Sequence, residues 1–166
     1  ADVSAALIGG KIYVPGGRLS SGQVINLLEI YDPRLNEWTQ GTPIPIPLSA
    51  YGLAALDGQM YLFGGWDGSN FLDTVYQYNP IADQWREAAR LPSPRGYSLA
   101  ASATGKIFVL GGFDGSKALR ENLTYQPDLQ SPTNSSWGAI QEMPENRYAI
   151  AATSIADFLI IIGENN

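Results

Sequence analysis

The chain has 166 residues and a formal net charge of −6, and charged side chains make up only 16% of it. An acidic chain is not drawn to the nucleic-acid backbone or to an anionic membrane surface, so neither is an expected partner. Histidine and cysteine are both absent, which excludes imidazole and thiolate metal sites, disulfides, and nucleophiles activated by a histidine base.

With 18 glycines, 11 prolines, 9 tyrosines and 4 tryptophans, the composition predicts an all-β chain of short strands and tight turns. Residues 4–8 (SAALI) and 11–14 (KIYV) read as two strands leading to Gly16-Gly17. Tyr31 ends a third strand before an Asp-Pro turn, and Trp38 lies on a fourth. Pro15 brings no ladder donor and is expected at a strand end. The order then repeats. GLAAL (52–56) and MYLF (60–63) lead to Gly64-Gly65, Tyr78, an Asn-Pro turn and Trp85. SLAAS (98–102) and KIFV (106–109) lead to Gly111-Gly112, Tyr125 and Trp137, with SPTNSS inserted between the tyrosine and the tryptophan. AIAAT (149–153) and FLIII (158–162) begin a fourth copy, with Ile162 where its first glycine would fall.

A phosphate-binding loop has no reason to recur every 47 or 48 residues, whereas a unit that stacks on copies of itself must. Small side chains suit strands crowded around a common axis. The apolar second strands imply burial on both faces. The tyrosines and tryptophans, each burying roughly 150–250 Å², suit the wider space between sheets.

The double glycine after an apolar strand, followed by tyrosine and then tryptophan, resembles the kelch repeat, and the likeness runs along essentially the whole chain. The resemblance implies a β-propeller of four-stranded antiparallel blades around a central channel. On that reading blade 1 spans about 1–43, blade 2 about 44–92, blade 3 about 93–144, and half of a fourth about 145–166. Three and a half blades do not close a ring of the usual four to eight, so the remaining blades are expected from the same longer polypeptide or from a second copy.

The resemblance also implies recognition of a protein or peptide through the loop face that carries the loops after each glycine pair. No catalytic, metal or cofactor site is expected. The candidates on that face are Arg18, Trp66, Asp67, Tyr97, Phe113, Asp114 and Lys117. Asp67 and Asp114 each precede glycine, and turn formation is the simpler account of both. Arg95 and Arg147 take the arginine position of the family, where bonding to nearby carbonyls and carboxylates is the simpler account. Kelch substrate adaptors often grip acidic peptides through arginines, but the equivalent positions here are Ala50, Tyr97 and Ala149. An alternative is part of a sugar-acting enzyme similar to the kelch-type sialic acid mutarotases, with Asp67, Asp114, Arg95 and Arg147 as its recurrent candidates. Another is a structural spacer in a larger extracellular protein. Asn122 and Asn134 begin triplets of the N-glycosylation pattern.

Overall fold

The structure is a computed structural model that describes residues 1–155 and 158–162; residues 156, 157 and 163–166, part of the expected half blade, lie outside the described residues. Four strands form the first sheet: β1 (Ala6–Ile8), β2 (Lys11–Pro15), β3 (Leu28–Asp32) and β4 (Glu37–Gly41). The second comprises β5 (Gly52–Leu56), β6 (Gln59–Phe63), β7 (Val75–Asn79) and β8 (Gln84–Ala88), and the third β9 (Leu99–Ala103), β10 (Lys106–Leu110), β11 (Asn122–Gln126) and β12 (Ser136–Ile140). A two-stranded sheet of β13 (Ala151–Ile155) and β14 (Phe158–Ile162) follows. Each sheet is an antiparallel meander with neighbouring strands paired in sequence order, the arrangement of a propeller blade. Pro15 is the last residue of β2, where a missing donor costs least.

Hydrophobic patterning explains the stacking. The small residues of β1, β5 and β9 allow these innermost strands to lie against one another around the axis, and β13 follows beside β9. Farther out, Ala6, Tyr13, Leu28, Met60 and Tyr78 form the core between blades 1 and 2. The core between blades 2 and 3 is richer in rings, with Tyr61, Phe63 and Tyr125 buried beside Ile107 and Val109. The Phe63 ring meets those of Tyr125 and Trp137 edge-on at 5.2 and 5.8 Å, the arrangement that aromatic quadrupoles favour.

The glycine pairs fix the connection from one blade to the next. Gly64 has φ +59°, and a Cβ there would overlap the Arg95 carbonyl oxygen; Gly111, at φ +57°, stands in the same relation to Arg147. The second glycine of each pair donates its N–H to the incoming segment, Gly65 to Arg95 O at 2.8 Å and Gly112 to Arg147 O at 2.9 Å. Only a residue without a side chain allows this approach.

The recurrent tryptophans tie neighbouring blades together. Trp85 Nε1 donates to Thr42 O of blade 1 at 2.8 Å, and Trp137 Nε1 to Ala89 O of blade 2 at 3.1 Å. Trp38, expected to pack between blades in the same way, is instead 60% exposed and stacks only on Tyr31 of its own sheet, because no blade of the described chain lies on that side. The inserted segment of blade 3 forms a short 3-10 turn, Pro132–Asn134, whose Pro132 carbonyl accepts the Ala89 N–H at 3.1 Å. In blade 2 the same task falls to a side chain: Asp83 accepts the Thr42 N–H at 2.8 Å and the Tyr78 hydroxyl at 2.6 Å.

Candidate functional site: the loop face

Four residues with left-handed backbone mark the inner edge of this face: Asp2, Ala50, Tyr97 and Ala149, with φ between 52° and 57°. They are joined in one circumferential chain. Ala50 N–H donates to Asp2 O at 2.8 Å, Tyr97 N–H to Ala50 O at 2.6 Å, and Ala149 N–H to Tyr97 O at 2.9 Å. This chain runs along a shallow opening at the axis that is also lined by Tyr51 and Ser98. Left-handed geometry costs a non-glycine residue energy that the surrounding hydrogen bonds must offset. Its repetition at one position of every copy makes it part of the architecture, and the side chains there are what vary.

Two equivalent residues line the junctions differently. Tyr51, between blades 1 and 2, is buried and donates its hydroxyl to Pro15 O. Burial pushes this phenol well above the ordinary range, so it remains a donor. In the next junction its place is taken by Ser98, 8% exposed, whose Oγ has no partner among the described residues.

The loops after the glycine pairs carry the aromatic candidates. Trp66 bridges to Ser49 and to Phe71, and Phe113 bridges to Gly96 and Ala118, which holds both rings half-buried against the incoming segments. Asp67 and Asp114 accept backbone N–H groups two and three residues on, Ser69 and Asn70 at 2.7 Å, Ser116 and Lys117 at 2.8 Å. The N–H groups of Lys117 and Ser116 hold the Asp114 carboxyl below the usual carboxylate range. Both carboxylates are therefore engaged in their own turns. Lys117 lies at the exposed loop tip, and Arg18 pairs with Asp2 at 2.6 Å while its guanidinium lies 6.0 Å from the centre of the Trp66 ring.

Arg95 is fully buried beneath this face. Its Nη2 donates to Ser93 Oγ at 2.8 Å and to Glu121 Oε2 at 2.7 Å, and Nη1 donates to Gly111 O at 3.3 Å. It binds the incoming strand to the glycine pair of its own blade. Arg147, one blade on, places its carbonyl on Gly112 in the same manner.

Sequence reasoning missed two rings. Phe71 covers Gly96 and Gly115, and Tyr148, 44% exposed, meets both Tyr97 and Phe113. Phe71 stands where the other copies have Val24 and Ala118, and Tyr148 where they have Ser49 and Gly96, so no recurrence flagged either. On the outer rim a second groove, lined by Gln59, Gln77, Asn79, Gln84, Arg86 and Leu129, brings together amides and one guanidinium but no carboxylate. Asn122, in β11, commits its amide to Gln141 O at 2.8 Å, whereas Asn134 is exposed in the inserted turn. Among the described residues no group of three acidic, histidine or cysteine side chains is placed to hold a metal ion.

Antiparallel four-stranded sheets stacked around an axis, with variable side chains on a shared loop face, define an array of propeller blades. The KLHDC2/KLHL20/DRC7 Kelch-repeats domain model matches residues 1–164, so the chain belongs to the kelch-repeat family. Kelch-like protein 33 of Homo sapiens is 36% identical over 66 residues, covering 40% of this chain and 12% of that protein. Alpha-scruin of Limulus polyphemus is 36% identical over 55 residues, 33% of this chain and 6% of that protein, and Kelch-like protein 25 of Xenopus laevis 38% identical over 64 residues, 39% and 11%. The chain thus spans only a small fraction of these relatives. The solved structure of YjhT superposes with a TM-score of 0.80 at 18% identity, over 96% of this chain and 57% of that one, a likeness of fold alone.

Proposed function

We propose that this chain is a non-catalytic binding module that recognises a protein or peptide through the loop face bearing Arg18, Trp66, Asp67, Tyr97, Phe113, Asp114 and Lys117. The observation that carries the reading is the partly exposed aromatic surface of the loop face, with Tyr97 at the axial opening and Trp66 and Phe113 on the loops after the glycine pairs. Large, rigid rings on loops held by a rigid scaffold supply contact area at low entropic cost. A sugar-acting enzyme would need Asp67, Asp114, Arg95 and Arg147 to converge on the axis. Asp67 and Asp114 cap their own turns and Arg95 is buried on Glu121, which favours the binding reading. Further blades, from the same polypeptide or from a second copy, pack on the side where Trp38 is exposed.

The test compares proteins retained from the native source by the unaltered chain, by a Trp66→Ser/Phe113→Ser variant and by a Leu35→Ser/Ile81→Ser variant of the exposed outer turns. The reading expects a specific partner that the first variant loses and the second keeps. Loss on the outer-turn variant alone would overturn it.

A further inference from the structure

Four rings on the loop face form a closed circuit. Phe71 lies 6.2 Å from Tyr97, Tyr97 6.4 Å from Tyr148, Tyr148 5.7 Å from Phe113, and Phe113 5.5 Å from Phe71, measured between ring centres. Each neighbouring pair is tilted or edge-on, with interplanar angles from 46° to 79°. The two diagonals, Phe71 to Tyr148 and Tyr97 to Phe113, are not ring contacts. All four rings are at least partly exposed. They come from three consecutive blades: Phe71 from the loop of blade 2, Tyr97 and Phe113 from blade 3, and Tyr148 from the segment entering the half blade.

We infer that this aromatic circuit is the seat for a cationic side chain, an arginine or a methylated lysine, on the partner peptide. Seated at the middle of a circuit with such sides, a cation lies within about 6 Å of every ring centre, the reach over which the negative ring face attracts it. Aromatic rings arranged around a point are the structure that recognises alkylated ammonium groups, because the rings replace water without demanding hydrogen bonds the cation cannot make.

The charge of the molecule points the same way. The chain carries a net charge of −6, and the Asp114 carboxylate, held ionised by its turn, adjoins Phe113. The arginines that would favour an anionic ligand are engaged, Arg95 with Glu121, Arg18 with Asp2 and Arg120 with Glu142. Lys117 lies at the exposed tip of the Phe113 loop, and Asp114 in the same turn counters its charge. The molecule also contains the interaction on a small scale. One junction away, Trp66 takes the position of Phe113, and there the cation is supplied from within by Arg18. In the next junction the Phe113 ring meets Phe71 edge-on.

This inference rests on the loop-face reading and deepens it, and the test separates the two. Tyrosine-labelled protein is titrated with acetyl-Gly-Arg-Gly-amide, with the same peptide carrying trimethyllysine, with its neutral isostere in which carbon replaces the ammonium nitrogen, and with acetyl-Gly-Glu-Gly-amide. Ring shifts of Tyr97 and Tyr148 are followed by NMR. Cationic peptides are expected to move both rings and the neutral isostere to bind at least fivefold more weakly. Tyr148→Leu should weaken the cationic peptides about two- to fivefold without changing the unfolding midpoint, since one ring contributes that much. Equal binding of the neutral isostere, preference for the glutamate peptide, or no response from either ring would overturn the cation seat. Retention of a partner that depends on Trp66 and Phe113 would then still uphold the loop face, whereas loss of that dependence would remove both.

Discussion

The two complete junctions of this chain are built to one plan and finished differently. Between blades 1 and 2, polar and charged side chains supply the ties: Asp83 accepts the Thr42 N–H, Tyr51 reaches across to Pro15 O, and Arg18 lies over Trp66. Between blades 2 and 3, a backbone carbonyl of the inserted turn replaces Asp83, Ser98 replaces Tyr51 and has no partner for its hydroxyl among the described residues, and the Phe113 ring meets Phe71 edge-on. The buried core compensates, since the second junction holds more rings in contact than the first. A repeat protein can therefore seal one interface and open the next without altering the fold, because the plan is fixed by backbone and glycine while function lies in the substituents.

Breaking what the junctions share should cost most. Gly64→Ala and Gly111→Ala each force a Cβ onto a carbonyl oxygen at a left-handed φ, and each should destabilise by about 3 kcal/mol or more in denaturant unfolding. Converting the sealed junction toward the open one comes next. Tyr51→Ser removes a buried ring and its cross-blade hydrogen bond and should cost about 2–3 kcal/mol by the same measurement.

The outer ties should differ in their response to acid. The Tyr78 hydroxyl and the Thr42 N–H hold the Asp83 carboxyl below its usual range, so this tie contributes stability above the ordinary aspartate value of about 4 and loses it as pH falls through the lowered value. The tie at Pro132 has no titrating group. Asp83→Asn should therefore flatten the fall in unfolding midpoint below about pH 4, against a background kept by Asp32 and Asp114, whose carboxyls are also lowered. An unchanged acid profile would show that the Asp83 tie carries no stability. The smallest effect is expected at Ser98. Removing an unpartnered buried hydroxyl in Ser98→Ala should leave stability within about 0.5 kcal/mol or raise it slightly, and a loss above about 1 kcal/mol would mean that the hydroxyl is satisfied after all.

The blade architecture was legible because its signals recur: Gly64 and Gly111, Tyr78 and Tyr125, Trp85 and Trp137 each do in one blade what their equivalent does in another. Trp38 shows the limit of that logic. Its sequence position matches its equivalents, yet packing between blades needs a neighbour, which no local pattern supplies. The loop face was legible in part, since Trp66, Tyr97 and Phe113 follow from the glycine pairs and the family arginine position. Phe71 and Tyr148 were not, because each departs from its equivalents in the other copies and recurrence could not flag it. The same holds for Ser98, whose significance appears only beside the Tyr51 that it replaces.

The most direct measurement places the photo-crosslinking residue p-benzoylphenylalanine in turn at Arg18, Trp66 and Phe113, the three equivalent loop positions, and at Asp57 on the hairpin at the opposite end of the blades. The account predicts one discrete protein adduct, strongest from Phe113, weaker from Trp66, weakest from Arg18 and absent from Asp57. An adduct from Asp57 as strong as from Phe113, or one strongest from Arg18, would contradict it.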